Sequence, residues 1–176
     1  MKKLLASASF VALMAASGSA YAVNFGIATV VNSQCHVAND EATQTRTFTL
    51  DDNGAVPAGG ATPIFNQTAT CTGPAKVQVK SLNGAITPGG APAPYAVVPP
   101  AGFANHLKYS ATATWNALSA TANANNTASP VTAISAASGV AFTGPLLITY
   151  STPGTGGAPL VAGSYSDTLI VTLVAS

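Results

Sequence analysis

The run Leu107-Lys108-Tyr109-Ser110-Ala111-Thr112-Ala113-Thr114-Trp115 alternates without a break. Leu107, Tyr109, Ala111, Ala113 and Trp115 fall on one side, and Lys108, Ser110, Thr112 and Thr114 on the other. A period of two is the pattern of a half-buried strand, because successive side chains point to opposite faces. The period returns in Lys76-Val77-Gln78-Val79-Lys80. It returns again near the end, where Leu169, Val171 and Leu173 alternate with Thr168, Ile170 and Thr172. Arg46-Thr47-Phe48-Thr49-Leu50 puts Phe48 and Leu50 on one face, and residues 64–71 and 146–150 are further candidate strands. Thr and Val enrichment favours strand over helix in all of them.

Turn signals separate these runs: Asp51-Asp52-Asn53-Gly54, residues 57–60, Pro88-Gly89-Gly90, Pro99-Pro100 and residues 153–157. Segment 117–128 reads as a polar loop or a short turn of helix on its Asn, Thr and Ser content. Seven or eight short strands with turns between them predict an all-β, antiparallel β-sandwich. No internal repeat, linker or second domain is visible.

The start of the chain is of another kind. Lys2 and Lys3 precede a charge-free apolar stretch, and small residues close it at Ala20-Tyr21-Ala22, the pattern of a removable export signal over residues 1–22. The apolar stretch falls short of the roughly 20 residues that span a bilayer. The mature chain is expected to begin at Val23, a length that suits one domain. Its first segment, Val23-Asn24-Phe25-Gly26-Ile27-Ala28-Thr29-Val30-Val31, is itself alternating and lies ahead of Cys35. Two uses are open to such a strand: pairing with its own sheet, or donation to a neighbouring molecule. Cys35 and Cys71 are the two cysteines of the chain. In an oxidising compartment they are expected to form one disulfide. A reactive thiol or metal pair would need partners, and only His36 is near.

Past residue 22 the cations are Arg46, Lys76, Lys80 and Lys108, and the carboxylates are Asp40, Glu41, Asp51, Asp52 and Asp167. Four scattered cations make no face for phosphate, which argues against nucleic acid, and none for an anionic membrane. A Thr, Ala, Asn, Gly and Pro surface with so few charges suits an exterior packed against copies of itself.

Catalytic patterns do not emerge. His36 and His106 stand in no metal-ligand spacing. Asp51-Asp52 leads a turn and lacks the further oxygen ligands of a calcium site. No nucleophile elbow or phosphate loop is present, and Gly154-Thr155-Gly156-Gly157 has no following helix. Trp115, the single tryptophan, shares its face with Tyr109 and Leu107 and reads as core. The expectation is a protein with no enzymatic activity, no cofactor and no metal.

The ending Gly163-Ser164-Tyr165-Ser166-Asp167-Thr168-Leu169-Ile170-Val171-Thr172 resembles the terminal strand of chaperone–usher pilus (fimbrial) subunits. It is closest to the archaic, spore coat protein U-like group, with its Gly-x-Tyr-x-Asp-Thr-Leu-x-Val-Thr ending. The export signal, the alternating strand ahead of the first cysteine and the Cys35 and Cys71 spacing also fit that family. The α-type colonisation pili close similarly but generally lack the cysteine pair. Better-known groups carry a penultimate aromatic, where this chain ends Val174-Ala175-Ser176.

The resemblance implies an immunoglobulin-like sandwich over residues 34–176 that lacks its last strand. A donated strand would finish it, lent first by a periplasmic chaperone and then by the N-terminal extension (residues 23–33) of another copy. In that extension Phe25, Ile27, Thr29 and Val31 would face the groove, with Gly26 and Ala28 behind. The C-terminal strand, with Tyr165, Leu169, Val171 and Leu173, would border it, and Asp167 would point to solvent or accept hydrogen bonds in a turn. The implied partners are further copies, the chaperone, an outer-membrane usher and a host surface. The implied route runs through the periplasm to the cell surface, in support of adhesion or biofilm formation. The alternative is a non-polymerising secreted coat or adhesin module.

Overall fold

Backbones with alternating side chains satisfy their polar groups only by pairing, and the strands of the described residues all pair antiparallel. The computed structural model describes residues 34–38 and 49–176. Its strands are β1 (Cys35–Val37), β2 (Gly59–Cys71), β3 (Ala75–Ser81), β4 (Thr87–Pro88), β5 (Tyr109–Trp115), β6 (Leu118–Ala124), β7 (Val131–Ile134), β8 (Phe142–Thr152), β9 (Tyr165–Ser166) and β10 (Leu169–Ala175). They form a five-stranded sheet in the order β1-β2-β8-β5-β6, a three-stranded sheet β10-β3-β7 and a two-stranded ribbon β4-β9. No helix occurs among the described residues. The fold is all-β and antiparallel.

Of the alternating runs, residues 76–80, 109–115 and 169–173 lie in strands. β5 buries Tyr109, Ala111, Ala113 and Trp115, and β3 buries Val77 and Val79. Trp115 is fully buried, donates its indole N–H to the Ala69 carbonyl at 3.3 Å, and meets Phe142 edge-on at 5.4 Å. Segment 117–128 corrects the expectation of a polar loop or helical turn. Its residues 118–124 are β6, in register with β5, and Ala120, Ala122 and Ala124 are buried against the core. Alanine gives weak apolar contrast against Ser119, Thr121 and Asn123, but its small size lets the facing sheet approach. β7 fills the far edge of β3. Beyond it Ser138 Oγ and Ser135 Oγ accept from the β3 backbone N–H groups of Ala75 and Val77, both at 2.9 Å.

The closing strand is also split. Tyr165–Ser166 pair with β4, and the chain bends at Asp167-Thr168 before Leu169–Ala175 pair with β3. Leu107 lies before β5, in an isolated bridge to Ile86. Thr49 and Leu50 lie outside any strand, and residues 46–48 of that expected strand fall outside the described residues.

The solvent face of the large sheet is faced with neutral hydroxyl and amide pairs. Thr112 and Thr121 are joined at 2.8 Å, the Ser110 hydroxyl donates to Asn123 Oδ1 at 2.8 Å, and Thr143 donates to Thr70 at 3.0 Å. Such cross-strand pairs fix register without charge.

Candidate functional site

The site is the side between β1 and β10, the edge strands of the described residues, which approach each other across the two sheets. β10 is held on β3 from Leu169↔Ser81 to Ala175↔Ala75. Backbone bonds just beyond the strand, Leu82 N–H to Thr168 O and Ser176 N–H to Pro74 O (both 2.9 Å), set the phase of the ladder. In an antiparallel pair every second residue turns its N–H and C=O toward the partner strand. Even-numbered residues therefore bond to β3. The backbone groups of Leu169, Val171 and Leu173 turn outward, to an edge that pairs with no described residue.

The side chains of those three residues point inward and are only half-buried, whereas Val77 and Val79 on the neighbouring strand are fully covered. They lean on the core together with Cys35 and Val37 of the opposite edge. Cover thus thins toward this side from both sheets. Backbone that pairs with no described residue, beside half-covered aliphatic side chains, has the chemistry that accepts an added strand.

The other edge is short and cross-linked. β1 has three residues, and its Cys35 lies opposite Cys71 with Cα atoms 4.1 Å apart and the two sulfurs bonded. Thr72 N–H to Gln34 O (2.8 Å) and Ala38 N–H to Thr68 O (2.9 Å) flank the pair, so Cys35 and Cys71 face one another at the closely spaced, non-hydrogen-bonded position. The expected disulfide is present. It pins β1 to the end of β2.

Asp167 fixes the start of β10. Its Oδ2 accepts from Ser81 Oγ at 2.6 Å and from the Tyr109 hydroxyl at 2.7 Å. Its Oδ1 accepts from the backbone N–H groups of Asn83 at 2.9 Å and Thr168 at 2.6 Å. Of the two roles expected for it, the turn acceptor is the one observed. Burial first, with the Asp167 carboxylate adding, pushes the Tyr109 hydroxyl far above its ordinary value of 10.0. Tyr165 is placed away from the β10 edge; in β9 it donates its hydroxyl to the Val161 carbonyl at 2.7 Å. Phe25, Ile27, Thr29 and Val31 lie outside the described residues.

Elsewhere among the described residues the side chains offer little chemistry. His106 stands 3.0 Å from Asn105 Oδ1, and burial, then Lys108, lowers its pKa below 6.5. No group of three His, Cys, Asp or Glu side chains suited to a metal ion occurs among the described residues. A shallow hollow on the outer face of the large sheet is lined by Asn66, Thr114, Pro145 and Leu147, without an ionisable group. Comparison with protein-family models, curated proteins and solved structures found no match.

Proposed function

We propose that this chain is a structural subunit of a bacterial surface pilus, an immunoglobulin-like sandwich completed by a strand donated from another copy. The observation that carries the reading is the β10 edge: outward-turned backbone on Leu169, Val171 and Leu173, with the same side chains half-covered. A strand seated there would gain ladder hydrogen bonds and bury apolar side chains on alternate residues. Phe25, Ile27, Thr29 and Val31 have the spacing to supply them. Donation from copy to copy is head-to-tail and does not close, so it builds a fibre. A chaperone would cover the edge beforehand, because a free apolar edge aggregates.

The test is a denaturing gel of the purified mature chain, unboiled and boiled. Exchanged strands give a ladder of multimers that collapses only on boiling, and deleting residues 23–31 removes the ladder. A monomer band in both lanes, from protein that folds without a chaperone, would replace this reading with a self-contained secreted module.

A further inference from the structure

Three loops gather at the end of the sheets where β3 finishes and β5 and β10 begin. Leu160 N–H donates to Gly54 O at 3.0 Å, and Thr155 N–H to Val56 O at 2.9 Å. Ala104 N–H donates to Pro159 O at 2.8 Å, and the Ala104 carbonyl accepts from Val161 N–H at 2.9 Å. Gly154, at φ +72°, allows this lacing, since a Cβ there would stand 2.5 Å from the Val56 carbonyl oxygen. The crest of residues 95–104 rides on it. One end is tied where Tyr95 N–H donates to Asn126 Oδ1 at 2.8 Å and the other at Ala104, while the buried Asn105 amide donates to the Val97 carbonyl between them. On that braced backbone Val97, Val98 and Phe103 are 60%, 86% and 45% exposed. A braced apolar crest on a charge-poor surface is a contact surface held ready at little ordering cost.

The opposite end of the sheets carries β1, the start of β3 and the loop Ser135-Ala136-Ala137-Ser138-Gly139-Val140-Ala141. This loop has no charge, and its Val140 is 64% exposed.

Resting on the donor-strand reading, we infer that the 97–103 crest of one copy seats against the 135–141 loop of the copy that donates to it. Strand polarity decides the match. Gln34, the first described residue, is bonded to Thr72 and so lies at the 135–141 end of its own body. Every strand pairing among the described residues is antiparallel. A donated segment that obeys the same preference runs against β10 and finishes beside Leu169, at the crest end. The donor's body, joined through Gln34, then turns its 135–141 end to the crest. Parallel entry would bring two 135–141 ends together and leave every crest in water.

The experiment introduces Val98→Cys and Val140→Cys into one chain, both at exposed positions, and treats the assembled protein with a short bismaleimide. Maleimide chemistry leaves the Cys35–Cys71 bond out of the reaction. The expected result is a covalent ladder of trimers and longer species after boiling in the double variant, and none in either single variant. An unboiled ladder that collapses to monomer on boiling after cross-linking keeps the donor-strand reading and overturns the crest contact. Val98→Cys alone cross-linking to dimers as well as the double variant overturns it too, since crest would then meet crest. Loss of the unboiled ladder from the chain without introduced cysteines overturns both.

Discussion

Replacing Asp167 by alanine removes one carboxylate and strands four donors at the bend before β10. Ser81 is fully buried and Tyr109 nearly so, which makes their hydroxyls the expensive ones to orphan. Ser81 Oγ keeps one bond, accepting from Gly84 N–H at 3.0 Å. A hydrogen bond to a charged group contributes about 1.5–3 kcal/mol, and the lower figure suits a half-buried carboxylate. Two such bonds give a loss of about 3 kcal/mol, or roughly 6–12 °C in Tm for a domain of this size. The backbone donors of Asn83 and Thr168 sit nearer water and add less. Asp167→Asn keeps an oxygen for those two N–H groups and offers an amide that both hydroxyls can accept, so its loss is expected near 1 kcal/mol. Urea unfolding read from Trp115 fluorescence is the assay, because the single tryptophan is buried in the core the strand covers. An Asp167→Ala variant within about 1 kcal/mol of the parent, or no better separated from it than Asp167→Asn, refutes the clasp.

Further outcomes are expected. Replacing Cys35 and Cys71 by serine frees a loop closed over a separation of 36 residues and lowers stability by about 4 kcal/mol on loop-closure entropy; urea curves with and without reductant measure it. Leu173→Ser removes an inward aliphatic side chain from the open edge, so the unboiled multimer ladder shortens or vanishes while Trp115 fluorescence keeps its folded signature. Trp115→Phe leaves a cavity beside Phe142 and removes the indole's bond to the Ala69 carbonyl, a loss of roughly 2–4 kcal/mol by calorimetry. Tyr109 is held neutral in the fold but ionises near 10 in the unfolded chain. Its contribution is therefore complete below pH 10 and declines as pH rises further, and Tyr109→Phe flattens that decline in alkaline unfolding curves.

Strands whose two faces differ strongly were legible in the sequence. Tyr109 to Trp115 and Lys76 to Lys80 set Tyr, Trp and Val against Lys, Gln and Thr, and they lie where alternation puts them. β6 was not legible, because alanine against serine and asparagine gives almost no contrast; its burial is conferred by β3 across the core. β7 is four residues long, too short for a period to register. The break between β9 and β10 depends on Ser81, Asn83 and Tyr109, which lie 86, 84 and 58 residues from Asp167, and no local window contains them. The disulfide was legible from its count. That β10 pairs with no described residue on its far side was not legible, since a strand that lacks a neighbour reads the same as one that has it.

The wall of paired threonines, serine and asparagine on the large sheet has a consequence for where such a surface can work. Thr112 with Thr121, Ser110 with Asn123 and Thr143 with Thr70 hold by uncharged groups that neither titrate in acid nor feel dissolved ions. Where an ion-paired wall would loosen in brine and come apart in acid, this one keeps its grip from fresh water to seawater.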